Sequence, residues 1–346
     1  MARYAVAVIG ATGAVGKTIV KVLEERSFPV RELRLGATAR SSGQVLTFHG
    51  EPVKVQETKE ELFRGIDLAL FAGGDTSSEQ YAWRIARNGT VVVDNSSTFR
   101  LDPRVPLVIP EINAHTLRDH QGVVANPNCS TIIMLLALVP LHRAAGVRRA
   151  VVATYQSVSG AGIAAMDALQ EQLRALLPHP ELLMNGASPE EIEAFAGTQS
   201  PIAFNLLFQW PIAEEGFTTE EWKMIRETQK IVGEAIPIAP TTVRVPSMVG
   251  HGIALTVELN RSLSPEEAKE ILRQAEGVEV LDEPSTGRFP MPIYAAGRDP
   301  VYVGRIRRDP TVPAGLHLWV VGDNLRKGAA LNAVQIAETM ISMGLL

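Results

Sequence analysis

The chain has 346 residues, 46% of them hydrophobic, and a formal net charge of −5. This length allows two domains, and the composition is that of a globular protein with a large core. The acidic balance and the lack of a Lys/Arg-rich block argue against nucleic acid as a partner, and the apolar runs are too short to cross a membrane. A single cysteine excludes an internal disulfide, and no export signal is visible, so we expect a cytoplasmic protein.

The first predicted element is an apolar strand, residues 4–9, which leads into a glycine-containing turn. Gly10, Gly13 and Gly16 follow the strand, and a helical segment continues to about Glu25. In a dinucleotide-binding domain the first glycine permits the tight turn, the second lets backbone N–H groups approach a pyrophosphate, and the third allows close helix packing. The spacing here is GxxGxxG instead of the usual GxGxxG, so a strand–helix turn with incidental glycines remains an alternative.

The loop after the second predicted strand, residues 31–35, bears on the choice of cofactor. An Asp or Glu at this point would bind the ribose hydroxyl of NAD. The sequence has no carboxylate here, but it has Arg40 followed by Ser41 and Ser42. A guanidinium binds phosphate with two parallel hydrogen bonds, so this loop favours NADP. The alternative is a solvated loop with an ordinary surface arginine.

Strands and helices alternate through the first 125 residues, which indicates a doubly wound parallel sheet. The predicted elements after the second strand are a strand from residue 67, a helix over 77–87, and strands over 90–94, 105–109 and 122–125. Ligands bind beyond the carboxyl ends of such strands. Arg100, shortly after strand 90–94, is therefore a candidate anion-binding residue, with a surface arginine as the equal alternative.

Cys129 lies between a polar turn and the apolar run 132–139. We predict that this run is a buried helix that ends at Pro140 or shortly after it, with Cys129 in its first turn. Free N–H groups and the helix dipole favour a thiolate at that position. A lone cysteine is more often a small buried hydrophobic residue, but such a residue would lie inside the apolar run and not beside polar neighbours.

The second half of the chain predicts a mixed α+β arrangement. Strand patterns occur at 149–158, 241–247, 253–259, 301–306 and 316–321, and helices at 163–176, 218–231 and from Ser264. The helix 163–176 carries an apolar stripe for a core or a subunit interface, and we expect 177–198 to be peripheral. The closing amphipathic helix is expected to pack back on the first domain.

Several polar residues in this half are candidates for a site. Gln156 is a polar residue between two apolar elements, and Arg244 lies on the polar face of a strand. His251 lies between two glycines, which suits a ligand site better than a core imidazole. Glu220 and Lys223 share a helix face, although their spacing alone favours a solvated ion pair.

Five segments together strongly resemble the aspartate-semialdehyde dehydrogenase family over nearly the whole length: 10–16, 126–131, 156–160, 244–251 and 323–330. The resemblance implies a Rossmann-like doubly wound parallel sheet plus an α+β catalytic and dimerisation domain with a mixed sheet. It implies that residues 1–127 and 325–346 form the NADP-binding domain and residues 128–324 the other domain. It also implies a homodimer or a dimer of dimers.

The resemblance further implies a role for individual residues. Cys129 would be the nucleophile, His251 the acid/base, and Gln156 the residue that orients the thioacyl intermediate. The substrate would be bound by Arg244, Glu220 and Gln156, and phosphate by Arg100, Lys223 and Asn128. The cofactor would be bound by Gly10, Thr12, Gly13, Ala14, Val15, Gly16, Arg40, Ser41, Ser159, Gly160 and Asn324. No metal is expected.

The implied reaction is the NADP-dependent conversion of β-aspartyl phosphate to aspartate semialdehyde and inorganic phosphate through a Cys129 thioester, in lysine (diaminopimelate), threonine and methionine biosynthesis. N-acetyl-glutamyl-phosphate reductase is the nearest alternative, although its members typically have glycine where this chain has Asn128. Glyceraldehyde-3-phosphate dehydrogenase is a more distant one. A catalytically silent NADP-binding sensor is an alternative of another class.

Overall fold

The computed structural model describes residues 3–234 and 236–346, whose strands form two sheets. The strands of the first sheet are β1 (Tyr4–Ile9), β2 (Val30–Ala37), β3 (Val45–Phe48), β4 (Glu51–Glu57), β5 (Leu68–Phe71), β6 (Val91–Asp94) and β7 (Val123–Ala125). Their order is β3-β4-β2-β1-β5-β6-β7, and each pair except β3–β4 is parallel. The helices of this part are α1 (Ala14–Glu25), α2 (Asp75–Ala86) and α3 (Pro110–Asn113).

The predicted strand at 105–109 is not part of this sheet. Leu107 forms only an isolated parallel bridge to Ala125, the last residue of β7. Pro106 has no N–H to donate, so a continuous ladder cannot form across it. The β3–β4 hairpin, in turn, was not predicted, because its strands are short and mostly exposed.

Helix α4 (Cys129–Ala145) connects the two sheets and is almost entirely buried. Pro140 lies inside this helix, and the chain continues as helix for five residues beyond it before Gly146 ends it at φ 66°. The predicted buried helix is thus confirmed, but it runs further than Pro140 suggested. The side chains of α4 pack in one core with Ile9 and Phe71 of the first sheet and with Ile253 of the second.

The second sheet is mixed. Its strands are β8 (Val147–Gln156), β9 (Ile238–Arg244), β10 (His251–Leu259), β11 (Val278–Val280), β12 (Val301–Arg308) and β13 (Gly315–Gly322), in the order β11-β12-β13-β10-β8-β9. The helices are α5 (Ile163–Leu176), α6 (Pro180–Met184), α7 (Pro189–Ala196), α8 (Thr219–Val232), α9 (Pro265–Arg273) and α10 (Pro292–Ala295). One sheet face packs against α4, whereas the other exposes Val151 and Tyr155. The predicted fold class is confirmed.

The C-terminal helix α11 (Leu331–Ser342) returns to the first sheet. Val334 and Ile336 pack in the same core as Val6 of β1 and Ile19 of α1, which confirms the expected packing. Before α11, residues Arg326–Ala330 form a wide π-helical turn. Such turns often occur at functional sites. Among the described residues, none of the helices is long and apolar enough to cross a membrane.

Candidate active site

Cys129 is the first residue of α4 and follows the carboxyl end of β7. Asn128 caps the helix, because its Oδ1 accepts hydrogen bonds from the N–H groups of Ser130 (2.9 Å) and Thr131 (3.3 Å). The cysteine is partly exposed to a cavity of about 250 Å³. The residues that line this cavity come from both sheets and include most of the predicted site: Arg100, Asn128, Gln156, Ser159, Gly160, Glu220, Lys223, Arg244 and Asn324.

His251, at the start of β10, lies next to the cysteine. Its Nε2 atom is 3.2 Å from Sγ of Cys129, and its Nδ1 atom accepts the backbone N–H of Ser157 at 3.0 Å. A backbone N–H can only donate, so Nδ1 carries no proton in this arrangement. The neutral ring therefore carries its proton on Nε2, where it faces the sulfur.

The protonation of this pair follows from its burial. Desolvation, reinforced by the nearby Arg244, holds the pKa of His251 well below its usual value. Burial also raises the pKa of Cys129 to about 11, with Glu220 acting in the same direction. The N–H of Ser130 lowers the pKa of Cys129 only as a smaller contribution. Desolvation therefore opposes the thiolate that the helix terminus favours.

Asn324 holds the backbone around the histidine. Its Oδ1 accepts hydrogen bonds from the hydroxyls of Ser157 (3.0 Å) and Ser159 (3.2 Å) and from the N–H of Gly250 (2.9 Å). Ser157 follows β8 and Gly250 precedes β10, so one amide connects both chain segments next to His251. The site is thereby rigid on the histidine side.

Glu220 lies at the bottom of a polar cluster formed by three other predicted residues. Its Oε1 accepts hydrogen bonds from Nδ2 of Asn128 (2.9 Å) and Nε2 of Gln156 (3.3 Å), and its Oε2 lies 3.5 Å from Nζ of Lys223. The Glu220 side chain is only 5% exposed. The solvated ion pair that spacing alone favoured is therefore wrong: the pair exists, but its carboxylate belongs to the buried site.

Arg244, at the end of β9, is buried and held from three sides. Its Nη1 donates to the carbonyl of Ser157 at 2.6 Å, and its guanidinium lies over the Trp210 ring at 4.7 Å from the centroid. When the Gln209 amide is oriented with its oxygen toward Arg244, this oxygen accepts hydrogen bonds from Nε (2.8 Å) and Nη2 (3.1 Å) of the guanidinium. Three of the five N–H groups are then used, and two are left for a ligand carboxylate.

Arg100 faces the same cavity from the first sheet. Its Nε donates to the carbonyl of Asn126 (3.0 Å), its Nη2 to the carbonyl of Asn95 (2.8 Å), and its Nη1 to Glu227 (3.0 Å). Arg100 and Lys223 both line the cavity and give it two cationic groups. Such groups can bind a phosphate group.

The glycine turn fits a dinucleotide. A Cβ atom at Gly10 would lie 2.5 Å from the carbonyl oxygen of Ala72, and one at Gly16 would clash with the carbonyl oxygen of Gly10, so these glycines are not incidental. Gly13 offers no side chain to cap the N–H groups at the start of α1. These N–H groups can receive a pyrophosphate, and the partly exposed residues Thr12, Ala14 and Val15 lie around them.

Val15 also lines the cavity of Cys129, so a dinucleotide on this turn would extend toward the nucleophile. At the other end, Arg40 and Ser41 form a short turn after β2. That turn lies at the same carboxyl end of the strands as the glycine turn, because the N–H of Gly10 donates to the carbonyl of Gly36 at 2.8 Å. Arg40 is exposed and accessible to a phosphate group.

Comparison with known proteins gives a consistent result. The family model described as semialdehyde dehydrogenase, NAD binding domain, matches residues 5–120, and the model described as semialdehyde dehydrogenase, dimerisation domain, matches residues 138–327. An aspartate-semialdehyde dehydrogenase of Aquifex aeolicus is 49% identical over 348 residues and covers 99% of both chains. The chain belongs to the aspartate-semialdehyde dehydrogenase family.

Solved structures agree with this membership. The crystal structure of aspartate semialdehyde dehydrogenase II from Vibrio cholerae, complexed with ASA, has a TM-score of 0.90 at 42% identity and covers 99% of both chains. A Candida albicans aspartate semialdehyde dehydrogenase with NADP has a TM-score of 0.74 at 22% identity over 100% of both chains, which is a likeness of fold. The family resemblance predicted from the sequence is confirmed.

Three residues at this aspartate-semialdehyde dehydrogenase site were not predicted. Trp210 and Gln209 hold Arg244 from a loop whose sequence carries no recognisable signal. Gly328, in the π-helical turn, approaches the nucleophile so closely that a Cβ atom there would lie 2.9 Å from Cβ of Cys129.

Glu227 was also missed, although the sequence does contain a signal for it. Glu220, Lys223, Glu227 and Lys230 recur at helical spacing on one face of α8. Glu227 lies four residues after Lys223, so extending the helical spacing from Glu220 and Lys223 would have identified it.

Proposed function

We propose that the chain is an NADP-dependent aspartate-semialdehyde dehydrogenase that converts β-aspartyl phosphate to aspartate semialdehyde and inorganic phosphate, reversibly, in lysine, threonine and methionine biosynthesis. The observation that carries this proposal is the 3.2 Å contact between Cys129 and His251 beside a cavity that Arg244, Arg100 and Lys223 line. A nucleophile in a cavity with several cationic groups suits a substrate with a carboxylate and a phosphate.

The first step transfers the acyl group to Cys129. The sulfur attacks the carbonyl carbon of the acyl phosphate, a C–S bond forms, and the C–O bond to phosphate breaks. Without a proton, phosphate would leave as a trianion. The thiol must lose a proton as it forms the C–S bond, and the transfer of this proton to the leaving phosphate meets both needs. A thiol whose pKa is raised to about 11 suits this step, because its proton leaves with the phosphate. Arg100 and Lys223 stabilise the departing anion.

The second step reduces the thioester. When bound, reduced NADP supplies the hydride. The Nε2–H of His251 donates to the carbonyl oxygen and stabilises the negative charge that develops there. The C–S bond then breaks as the oxyanion collapses, the aldehyde leaves and the Cys129 thiolate takes up a proton from water. His251 acts here as a hydrogen-bond donor through Nε2–H, since a neutral ring that gave up its only proton would be left as an imidazolate.

Substrate selectivity is proposed to rest on the two ends of the amino-acid part. Arg244 binds the α-carboxylate with its two remaining N–H groups, because a planar fork matches a carboxylate. Glu220 binds the ammonium group, and Gln156, which donates to Glu220, orients the thioacyl group. Asn128 joins Arg100 and Lys223 in the phosphate half.

NADP is proposed over NAD because Arg40 and Ser41 can bind the 2′-phosphate. The glycine turn 10–16 would receive the pyrophosphate, and Ser159, Gly160 and Asn324 would line the nicotinamide side.

We further propose that the chain divides into a cofactor-binding domain, residues 1–127 with 325–346, and a second domain, residues 128–324. The packing of α11 against β1 supports it. The cytoplasm is the proposed location, since a single cysteine suits a reducing compartment.

A homodimer, or a dimer of dimers, is proposed with the outer face of the second sheet as its interface. Val151 is 40% and Tyr155 38% exposed on this face, and the Tyr155 ring packs edge-on against Trp319 at 5.7 Å. Exposed large apolar residues grouped on one sheet face mark an interaction surface. The match of residues 138–327 to a dimerisation domain supports a second copy as that cover.

The test is an assay with purified protein, NADP and phosphate, which follows NADPH formation from aspartate semialdehyde, N-acetylglutamate semialdehyde and glyceraldehyde 3-phosphate. We expect phosphate-dependent turnover with aspartate semialdehyde and little with the others. Preference for another aldehyde would reassign the enzyme, and NADP binding without turnover would support the sensor alternative. As a control, Cys129→Ala should bind NADPH as the wild type does but lose at least about 10³-fold in turnover.

A further inference from the structure

Helix α8 contacts the active site through one face. Glu220 and Lys223 line the cavity, and one to two turns further along, Glu227 and Lys230 contact the chain segments that carry Arg100 and Cys129. The side chain of Glu227 is 1% exposed and does not line the cavity. It is therefore not in contact with a substrate and acts, if at all, through other residues.

The Glu227 carboxylate links two groups of the proposed phosphate half. Its Oε1 accepts from Nη1 of Arg100 at 3.0 Å, and its Oε2 accepts the backbone N–H of Asn128 at 2.6 Å. Asn128 caps α4 and directly precedes Cys129. One carboxylate thus contacts both the Arg100 guanidinium, which two backbone carbonyls also hold, and the turn before the nucleophile.

The neighbouring residue on this face holds the same segment. Nζ of Lys230 donates to the carbonyls of Arg100 (2.8 Å), Asp102 (2.7 Å) and Val105 (2.7 Å). The backbone of Arg100 is therefore held by Lys230, whereas Glu227 is the only side chain that holds its guanidinium among the described hydrogen bonds, beside the carbonyls of Asn95 and Asn126. This division separates what a Glu227 variant would change from what holds the loop.

We propose that Glu227 is a positioning residue for the phosphate half of the reaction, which aligns Arg100 and the Asn128 turn with the sulfur of Cys129. The proposal rests on the proposed function, since it assigns Arg100 to phosphate.

The charge of Glu227 and its geometry have opposite effects on phosphate binding. Its negative charge weakens the attraction of Arg100 for phosphate, so loss of the charge alone would tighten binding. Its geometry, in contrast, keeps the guanidinium aimed at the cavity, and loss of that orientation would weaken binding. The orientation effect should be larger, because the amide of Glu227→Gln has one acceptor for two donors and turns its NH₂ group toward either Arg100 or Asn128.

The experiment compares three variants in the phosphate-dependent oxidation of aspartate semialdehyde. Glu227→Gln removes the charge, Glu227→Asp keeps the charge but shortens the reach, and Glu221→Gln is the matched control. Glu221 is a buried carboxylate on the same helix that accepts the backbone N–H groups of Thr218 (2.7 Å) and Thr242 (2.9 Å) instead of the N–H donors of Arg100 and Asn128. Both Glu227 variants should raise the KM for phosphate about tenfold and leave the KM for NADP within about twofold. Glu221→Gln should leave both constants unchanged.

A second measurement does not depend on turnover. The chain has one cysteine, so alkylation by iodoacetamide reports Cys129 alone, and inorganic phosphate should protect it. The phosphate concentration that gives half-protection should rise about tenfold in both Glu227 variants. Tighter phosphate binding in Glu227→Gln, an unchanged value in either variant, or the same rise in Glu221→Gln would overturn the proposal. If the wild type shows phosphate protection that depends on Glu227 but no turnover, the proposed function fails and the positioning role stands.

Discussion

The Sγ atom of Cys129 lies 3.2 Å from Nε2 of His251, although 122 residues separate the two along the chain. Helix α4 begins with the sulfur beyond the carboxyl end of the first sheet, and the ring lies at the first residue of β10, an internal strand of the second sheet. The N–H of Ser157 selects the tautomer whose proton points at the sulfur. The chemistry therefore depends on how the two sheets meet.

The raised pKa of the Cys129 thiol predicts its reactivity in the free protein. Burial and Glu220 raise this pKa to about 11, so the thiolate fraction is small at neutral pH. Alkylation by iodoacetamide should accelerate steadily between about pH 7 and 10 and show no plateau there. Measured rates that level off near neutrality would mean that the resting sulfur is ionised.

The lowered pKa of His251 predicts how stability depends on pH. The native ring stays neutral, because burial and Arg244 oppose its charge, whereas the unfolded ring takes up a proton below about pH 6.5. The unfolded state then binds more protons, so the free energy of unfolding falls as pH drops from about 6.5 toward the native pKa, by up to about 1.4 kcal/mol per pH unit.

The measurement is thermal or urea unfolding at several pH values for the wild type and His251→Gln. The variant should lose less stability than the wild type between about pH 6.5 and 5. His120, whose pKa burial also lowers, is present in both proteins and cancels in the difference. Parallel pH curves for the two proteins would contradict a neutral, buried His251.

The local patterns of the chain were sufficient for much of this fold. The glycine turn, the apolar strands and the helix at 218–231 each depend on neighbouring residues, and each prediction was confirmed. The strand predicted at 105–109 failed because pairing depends on a partner strand and on a proline that cannot donate to it. Apolar character alone does not reveal either condition.

The site was partly predictable for a similar reason. Residue type and family resemblance indicated Cys129, His251 and Arg244, but the protonation of the sulfur depends on desolvation by residues distant in sequence. Trp210, in a loop, holds Arg244 of β9 by a ring contact and carries no sequence signal. Such tertiary contacts become visible only in three dimensions.

The contact between Gly328 and the nucleophile predicts a catalytic defect for Gly328→Ala. The added Cβ would lie 2.9 Å from Cβ of Cys129, so one of the two must move. We expect kcat to fall about 10²-fold with little change in the KM for phosphate or NADP, since a displacement of about 1 Å is enough for such a loss.

Gly160→Ala serves as the comparison, because its Cβ would lie 3.0 Å from Nη1 of Arg244 and 3.6 Å from Nε2 of His251. That variant should chiefly raise the KM for the aldehyde. Steady-state kinetics with each substrate varied in turn separates the two. A Gly328→Ala enzyme with wild-type kcat would show that Cys129 has room to shift without cost.

Arg40 predicts the preference between the two nicotinamide cofactors. Because it is exposed on the turn after β2, its loss should not affect folding. Arg40→Glu removes a phosphate-binding group and adds a charge that repels phosphate, so the KM for NADP should rise at least about tenfold while the KM for NAD changes little. Equal changes in both constants would reject the role in 2′-phosphate binding.

The apolar outer face of the second sheet predicts the oligomeric state. Val151 is 40% exposed in the middle of β8, so Val151→Asp would place a charge in the centre of the proposed interface. We expect light scattering to give at least a dimer for the wild type and a smaller species for the variant, because an unpaired charge cannot be buried there without a large desolvation cost. Val45→Asp is the matched control, since Val45 is 56% exposed on the edge strand β3 of the other sheet. It should leave the mass unchanged, and a Val151→Asp protein that keeps the wild-type mass would place the interface on another surface.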